Sequence, residues 1–215
     1  MALLLCDLDD TILCRHDAFV RWARAYVHER GLPAAEAEWL VELDQDGYRP
    51  RDEFFALVAE RDGLGTTPDD VAERYRLDFL RSFRCPPDAA DALTRARRAG
   101  FSVAIVTNGE RRAQEAKLHA AGLPQLVDAV CISEVEGFAK PDRAIFERAA
   151  HRCGADLAGA WMIGDHPHND IGGARAVGAR TVWIPNGRRW PEELPFSPDA
   201  EATTFAQAVD LVLGS

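Results

Sequence analysis

The chain has 215 residues, 47% of them hydrophobic and 28% charged, with 25 basic against 35 acidic side chains and a formal net charge of −10. That length holds one domain with a real core and a sizeable insertion, and the composition is globular, not disordered. A surface this acidic repels nucleic acid and anionic lipid, so neither is expected as a partner, and an anionic substrate has to enter a locally positive pocket.

The first element is the run Leu3-Leu4-Leu5-Cys6, apolar without alternation, as in a strand buried on both faces. No basic region precedes it, and Ala2 to Cys6 is much too short for a signal peptide or a membrane span. A soluble, cytoplasmic protein is the expectation. From about Cys14 to Cys85 no strand-like run occurs. Apolar residues recur there at helical spacing: Phe19, Ala23, Tyr26 and Val27, then Trp39, Leu40 and Leu43, then Phe54, Phe55 and Val58, then Val71, Tyr75 and Phe79. Turn signals at Gly31 to Pro33, Asp46 to Pro50 and Gly63 to Pro68 separate them.

Alternation begins after Cys85. Amphipathic segments at Asp88 to Ala99, Arg111 to Ala121, Arg143 to Cys153 and Asp170 to Val177 interleave with apolar runs. Those runs are Phe101 to Val106, Ala129 to Ile132, Ala160 to Ile163 and Thr181 to Ile184. The stretch Pro185 to Pro198, rich in proline and charge, is expected as a surface loop. Such a pattern predicts an α/β fold, a Rossmann-like parallel sheet with helices on both faces. A small all-helical domain at 14–85 is inserted into a core made of 1–13 and 86–215.

The five cysteines are odd in number, widely spaced and contain no CxxC pair, which argues against a disulfide framework and against zinc. Only two lysines occur, Lys117 and Lys140; arginine supplies every other basic side chain.

Polar residues cluster where strands end. Asp7-Leu8-Asp9-Asp10-Thr11 follows the first strand, and Thr107-Asn108-Gly109 the second. Lys140-Pro141-Asp142 comes after the third run, and Gly164-Asp165, with Asp170 beyond it, follows the fourth. Any one of these alone reads as a turn or a helix cap. Parallel strand ends converge in space, however, so four carboxylates, a lysine and a hydroxyl would meet in one cleft. That density of negative charge calls for a bound cation, and hard oxygen ligands favour Mg²⁺.

The motifs Asp7-x-Asp9-x-Thr11, Thr107, Lys140-Pro141 and Gly164-Asp165-x-x-x-x-Asp170 resemble, in order and spacing, those of the haloacid dehalogenase-like hydrolase superfamily, in the branch with a helical cap after the first strand. The resemblance implies a Mg²⁺-dependent phosphatase acting on a small phosphorylated metabolite through an aspartyl-phosphate on Asp7. It implies Asp9 as acid and then base, and Lys140 as the group neutralising charge on Asp7 and on the phosphate. Thr107 and Asn108 would hold phosphoryl oxygens. The metal would lie on Asp7, the Asp9 backbone carbonyl and Asp165, with Thr11 and Asp170 supporting. Dehalogenases of the superfamily lack a carboxylic acid at the position of Asp9, which favours phosphate esters. Phosphonate-cleaving relatives need a cap lysine, and none lies between Thr11 and Lys117.

Arg15, His16, Tyr48, Arg49 and Arg51 are candidates for substrate specificity, weighed against a solvated-loop role. His166 and His168 flank a proline, which suits shaping of the loop or a substrate contact better than metal binding. Trp22 and Trp39 are expected in the helical core, and Cys6 as a small hydrophobe. A phosphomutase would use the same nucleophile. A receiver-type phosphoacceptor domain has a similar residue set, but it carries its phosphorylated aspartate on a later strand. Substrate identity and oligomeric state are not legible.

Overall fold

The computed structural model describes residues 2–47, 49–62 and 65–214, without the side chains of Asp46 and Asp62. Tyr48, one of the specificity candidates, lies outside the described residues. The chain clusters into two compact units, Met1–Leu13 with Cys85–Ser215 and, separately, Cys14–Arg84. No helix among the described residues is long and apolar enough to cross a membrane.

The first unit is built on a six-stranded, wholly parallel sheet of strands β1 (Ala2–Cys6), β2 (Phe101–Thr107), β3 (Ala129–Ile132), β4 (Trp161–Gly164), β5 (Arg180–Trp183) and β6 (Ala200–Glu201). Their spatial order is β3-β2-β1-β4-β5-β6. β1, β2 and β4 are buried along almost their whole length, which is why their sequences are apolar without alternation. One face carries Leu3, Leu5, Ala104, Val106, Cys131 and Met162, packed with Ile145, Phe146 and Ala149 of helix Arg143–Arg152. Helix Pro87–Arg98 packs on β2, and helix Phe205–Leu213 packs on it and on β4. The chain runs outward from β1 through β2 to β3, then returns to place β4 on the other side of β1. The carboxyl end of β1 is therefore a switch point, where crossovers leave in opposite directions and open a crevice.

Three local features depart from the sequence expectation. The segment expected to be helical from Asp170 starts as a π-helical turn, Pro167–Gly172, followed by the short helix Gly173–Ala176. Such turns are uncommon and gather at functional sites. Strand β6 and helix Phe205–Leu213 lie beyond the last expected element. The stretch after β5 is not a bare surface loop, since Trp190 and Phe196 make edge contacts leading back to the buried Trp183.

Among the described residues the second unit contains four α-helices, Arg15–Glu29, Ala35–Asp44, Arg51–Asp62 and Pro68–Asp78, and two short 3₁₀ turns, Gln45–Gly47 and Leu80–Ser82. Thr67 and Asp70 form a capping box ahead of the last, satisfying orphan N–H groups at its start. Phe19, Trp22, Phe54, Tyr75 and Phe79 form its aromatic centre. Trp39, expected in this core, is only half-buried, with the Arg61 guanidinium 4.5 Å above its ring.

Candidate active site

Asp7 is the first residue beyond β1, and its N–H donates to the Ile163 carbonyl of β4 at 2.9 Å. The chain then turns tightly. Leu8 O accepts from both Ile12 N and Leu13 N, and Asp10 takes a left-handed φ of 54°, which a short polar side chain tolerates. Asn186 Nδ2 ties the loop after β5 to this turn through Asp10 O at 2.7 Å. Thr11 Oγ1 lies 3.4 Å from Asp7 Oδ2.

Lys140 is 5% exposed and carries its Nζ 2.5 Å from Asp7 Oδ1 and 2.6 Å from Asp170 Oδ1. The other Asp170 oxygen accepts from His166 N at 2.9 Å. Gly164 makes this possible, because a Cβ there would sit 2.4 Å from Asp170 Oδ2. Asp165 Oδ2 pairs with Arg188 Nη2 at 2.6 Å, and its carbonyl accepts from Trp183 Nε1 at 2.8 Å.

Carboxylate oxygens of Asp7, Asp165 and Asp170 lie within 4.8 Å of one another. Burial pushes the Asp7 carboxyl above its ordinary range; Lys140 opposes the rise, and Asp170 and Asp165 add to it. Asp165 is likewise raised by burial, against the pull of Arg188. Burial acts to lower Lys140, but Asp170 and Asp7 outweigh it and hold the ammonium above its usual range. Three crowded carboxylates, two of them raised, are a donor set short of positive charge. Their hard oxygens suit Mg²⁺, so the residues present fit that ion.

A second cluster adjoins the first. Thr107, at the end of β2, accepts from Gln114 Nε2 at 2.6 Å, and the same amide reaches Asp9 Oδ2 at 3.0 Å. Lys117 Nζ lies 2.8 Å from both oxygens of Asp9. Gln114 and Lys117 both come from the helix Arg111–Ala120.

Sequence reasoning thus named residues that meet at the ends of β1, β2 and β4. The side-chain amide of Asn108 is bonded to the Lys140 backbone: its Nδ2 donates to Lys140 O at 2.9 Å and its Oδ1 accepts from Lys140 N at 2.8 Å, which leaves its backbone N–H as the group to hold a phosphoryl oxygen. The amide anchors the backbone that delivers Lys140. Three specificity candidates also have structural partners within the helical unit. Arg15 and Arg51 share the buried Asp44 at 2.7 Å each, and Arg49 pairs with Glu53 and donates to Leu43 O. His16 is exposed. His166 Nδ1 accepts from Asn169 N, capping the π-helical turn.

Gln114, Lys117 and Arg188 were missed. The spacing of Gln114 and Lys117, three apart after a strand-end turn, puts them on one helix face and was the available signal. Arg188 sits in an irregular loop and offered none.

The model of the haloacid dehalogenase-like hydrolases matches residues 1–178. The chain is 35% identical to phosphoserine phosphatase of Thermus thermophilus over 196 residues, covering 87% of this chain and 76% of that protein. It is 37% identical to glyceraldehyde 3-phosphate phosphatase of Methanopyrus kandleri over 229 aligned positions, covering 97% and 96%. A solved phosphatase of the family from Thermococcus onnurineus superposes with a TM-score of 0.64 at 26% identity, covering 100% of this chain and 98% of that one. Fold, motif geometry and relatives agree: this chain belongs to the haloacid dehalogenase-like hydrolase family.

Proposed function

We propose that the chain is a Mg²⁺-dependent phosphatase that hydrolyses a small phosphorylated metabolite through an aspartyl-phosphate on Asp7. The observation that carries the reading is Lys140, held between Asp7 and Asp170 at the mouth of a parallel sheet, with Asp165 beside them. A carboxylate nucleophile needs no activating base, but it must approach a phosphate of its own charge sign. Lys140 offsets that repulsion at Asp7 and again in the transition state. Mg²⁺, held by Asp7, Asp165 and the Asp9 carbonyl, would supply further charge neutralisation on the phosphoryl oxygens.

The residues divide the work. An Asp7 oxygen forms a bond to phosphorus as the bond to the leaving oxygen breaks, and Asp9 gives that oxygen a proton. Asp9 then takes a proton from the water that attacks phosphorus, releasing phosphate and restoring Asp7. Thr107 and the Asn108 backbone N–H hold phosphoryl oxygens, while Asp170 fixes Lys140. The relatives named for phosphoserine and glyceraldehyde 3-phosphate support a small metabolite as substrate.

Hydrolysis of an aryl phosphate is expected to require Mg²⁺ and to cease in EDTA. Asp7→Asn should cut turnover by about 10⁴-fold or more, as removal of a nucleophile does. Turnover that survives EDTA, or an Asp7→Asn variant of near-normal rate, would refute the mechanism.

A further inference from the structure

Both lysines of an otherwise arginine-supplied chain end on the same short motif, Lys140 on Asp7 and Lys117 on Asp9. The mechanism uses the first and leaves the second unexplained. Lys117 Nζ is equidistant from the two Asp9 oxygens, and its side chain is 14% exposed. One helical turn earlier, the buried Gln114 amide bridges Asp9 Oδ2 and Thr107 Oγ1, linking the candidate proton-transfer group to the candidate phosphate ligand. The absence of a side chain at Gly109 gives Gln114 its path, since a Cβ there would meet its side chain at 3.1 Å.

A carboxylate on a tight turn can rotate about its own side-chain bonds, whereas proton transfer demands one direction. An ammonium suits the task of holding it. The Lys117 Nζ donates to both Asp9 oxygens while the Gln114 amide donates to one of them from a separate side chain, and two donors together restrict that rotation.

We propose that Lys117, assisted by Gln114, is a positioning residue that holds the Asp9 carboxylate in place for proton transfer with the leaving oxygen. The inference rests on the reading of Asp9 given above.

The test is steady-state hydrolysis of aryl phosphates of graded leaving group, from 2,4-dinitrophenyl to phenyl, in Mg²⁺. Lys117→Met keeps the aliphatic stem and removes the charge. Its kcat/KM on phenyl phosphate, which reports formation of the aspartyl-phosphate, should fall about tenfold or more, within the range of a misaligned acid–base group. The loss should shrink as the leaving group improves, with KM little changed. Lys117→Arg, which restores a cation, should recover part of the loss, and it serves also if the methionine variant folds poorly. Added to Asp9→Asn, Lys117→Met should cost nothing further, because residues acting through one group are not additive. Equal losses across the leaving-group series, or full additivity with Asp9→Asn, would overturn the role of Lys117. If Asp9→Asn alone shows no dependence on leaving group, the acid–base reading of Asp9 fails and takes this inference with it.

Discussion

Asp7 is buried, and Lys140 is the only cation placed against it among the described residues. Its carboxyl and that of Asp165 are raised in the folded chain, so upward from the usual carboxylate range the folded state binds more protons than the unfolded state. Stability is therefore lost as pH rises through that window. In EDTA the melting temperature should decline from weakly acidic to weakly alkaline pH, and Mg²⁺ should raise it most at the alkaline end. A Mg²⁺ increment that is flat with pH would contradict the carboxylate site. Asn108 makes a second prediction at this scale. Asn108→Ala removes both hydrogen bonds from the Lys140 backbone and should destabilise the protein by about 1–3 kcal/mol. It should also lower turnover by about tenfold through the displaced ammonium. Thermal melts and kinetics on one preparation check both, and a variant with wild-type stability would remove the anchoring role.

Among the elements, β4 and the π-helical turn after it have to be considered together. Gly164 ends the strand, and the Asp170 side chain folds back over it. Gly164→Ala would drive a methyl group into that carboxylate and should displace it from Lys140. The expected result is a loss of about 1–3 kcal/mol in stability, the usual range for overpacking, together with a fall in turnover. Unaltered activity would show that Asp170 does not need its place. This element also marks the limit of sequence reading. Buried strands announce themselves as continuous apolar runs, so β1 to β5 were legible, and with them the strand-end positions of Asp7, Thr107 and Asp165. The π-helical turn was not, since a single widened turn with i→i+5 bonding is too short to leave a periodicity that tells it from an α-helical start. β6 is two residues long and has no pattern to read. The last helix did carry signals, a Thr204 cap accepting from Gln207 N and Gly214 at φ 74°, which a search for apolar strands passes over. Lys117 carried only its three-residue spacing from Gln114, which sets a shared helix face but not what that face meets, and Arg188, in an irregular loop, carried no signal.

At the scale of the whole molecule, an acidic protein concentrates its site cations on a few side chains. Lys140 serves Asp7, Lys117 serves Asp9 and Arg188 serves Asp165, so each of these three carboxylates has its own counter-ion. Three cations against the four carboxylates Asp7, Asp9, Asp165 and Asp170 fall short of the locally positive pocket expected from composition, a shortfall that a bound cation would offset. The arrangement also bears on how the protein can be labelled. An amine-acylating reagent finds only two lysine side chains in 215 residues, both of them salt-bridged at the candidate active site. Lys140 is nearly inaccessible and its ammonium is held protonated, whereas Lys117 is partly open to solvent. Peptide mass mapping should show slow acylation of Lys117 in the native protein and of Lys140 only once the fold is lost. The pair would then act as an internal gauge, one lysine reporting on the hold over Asp9 and the other on whether the sheet is still folded.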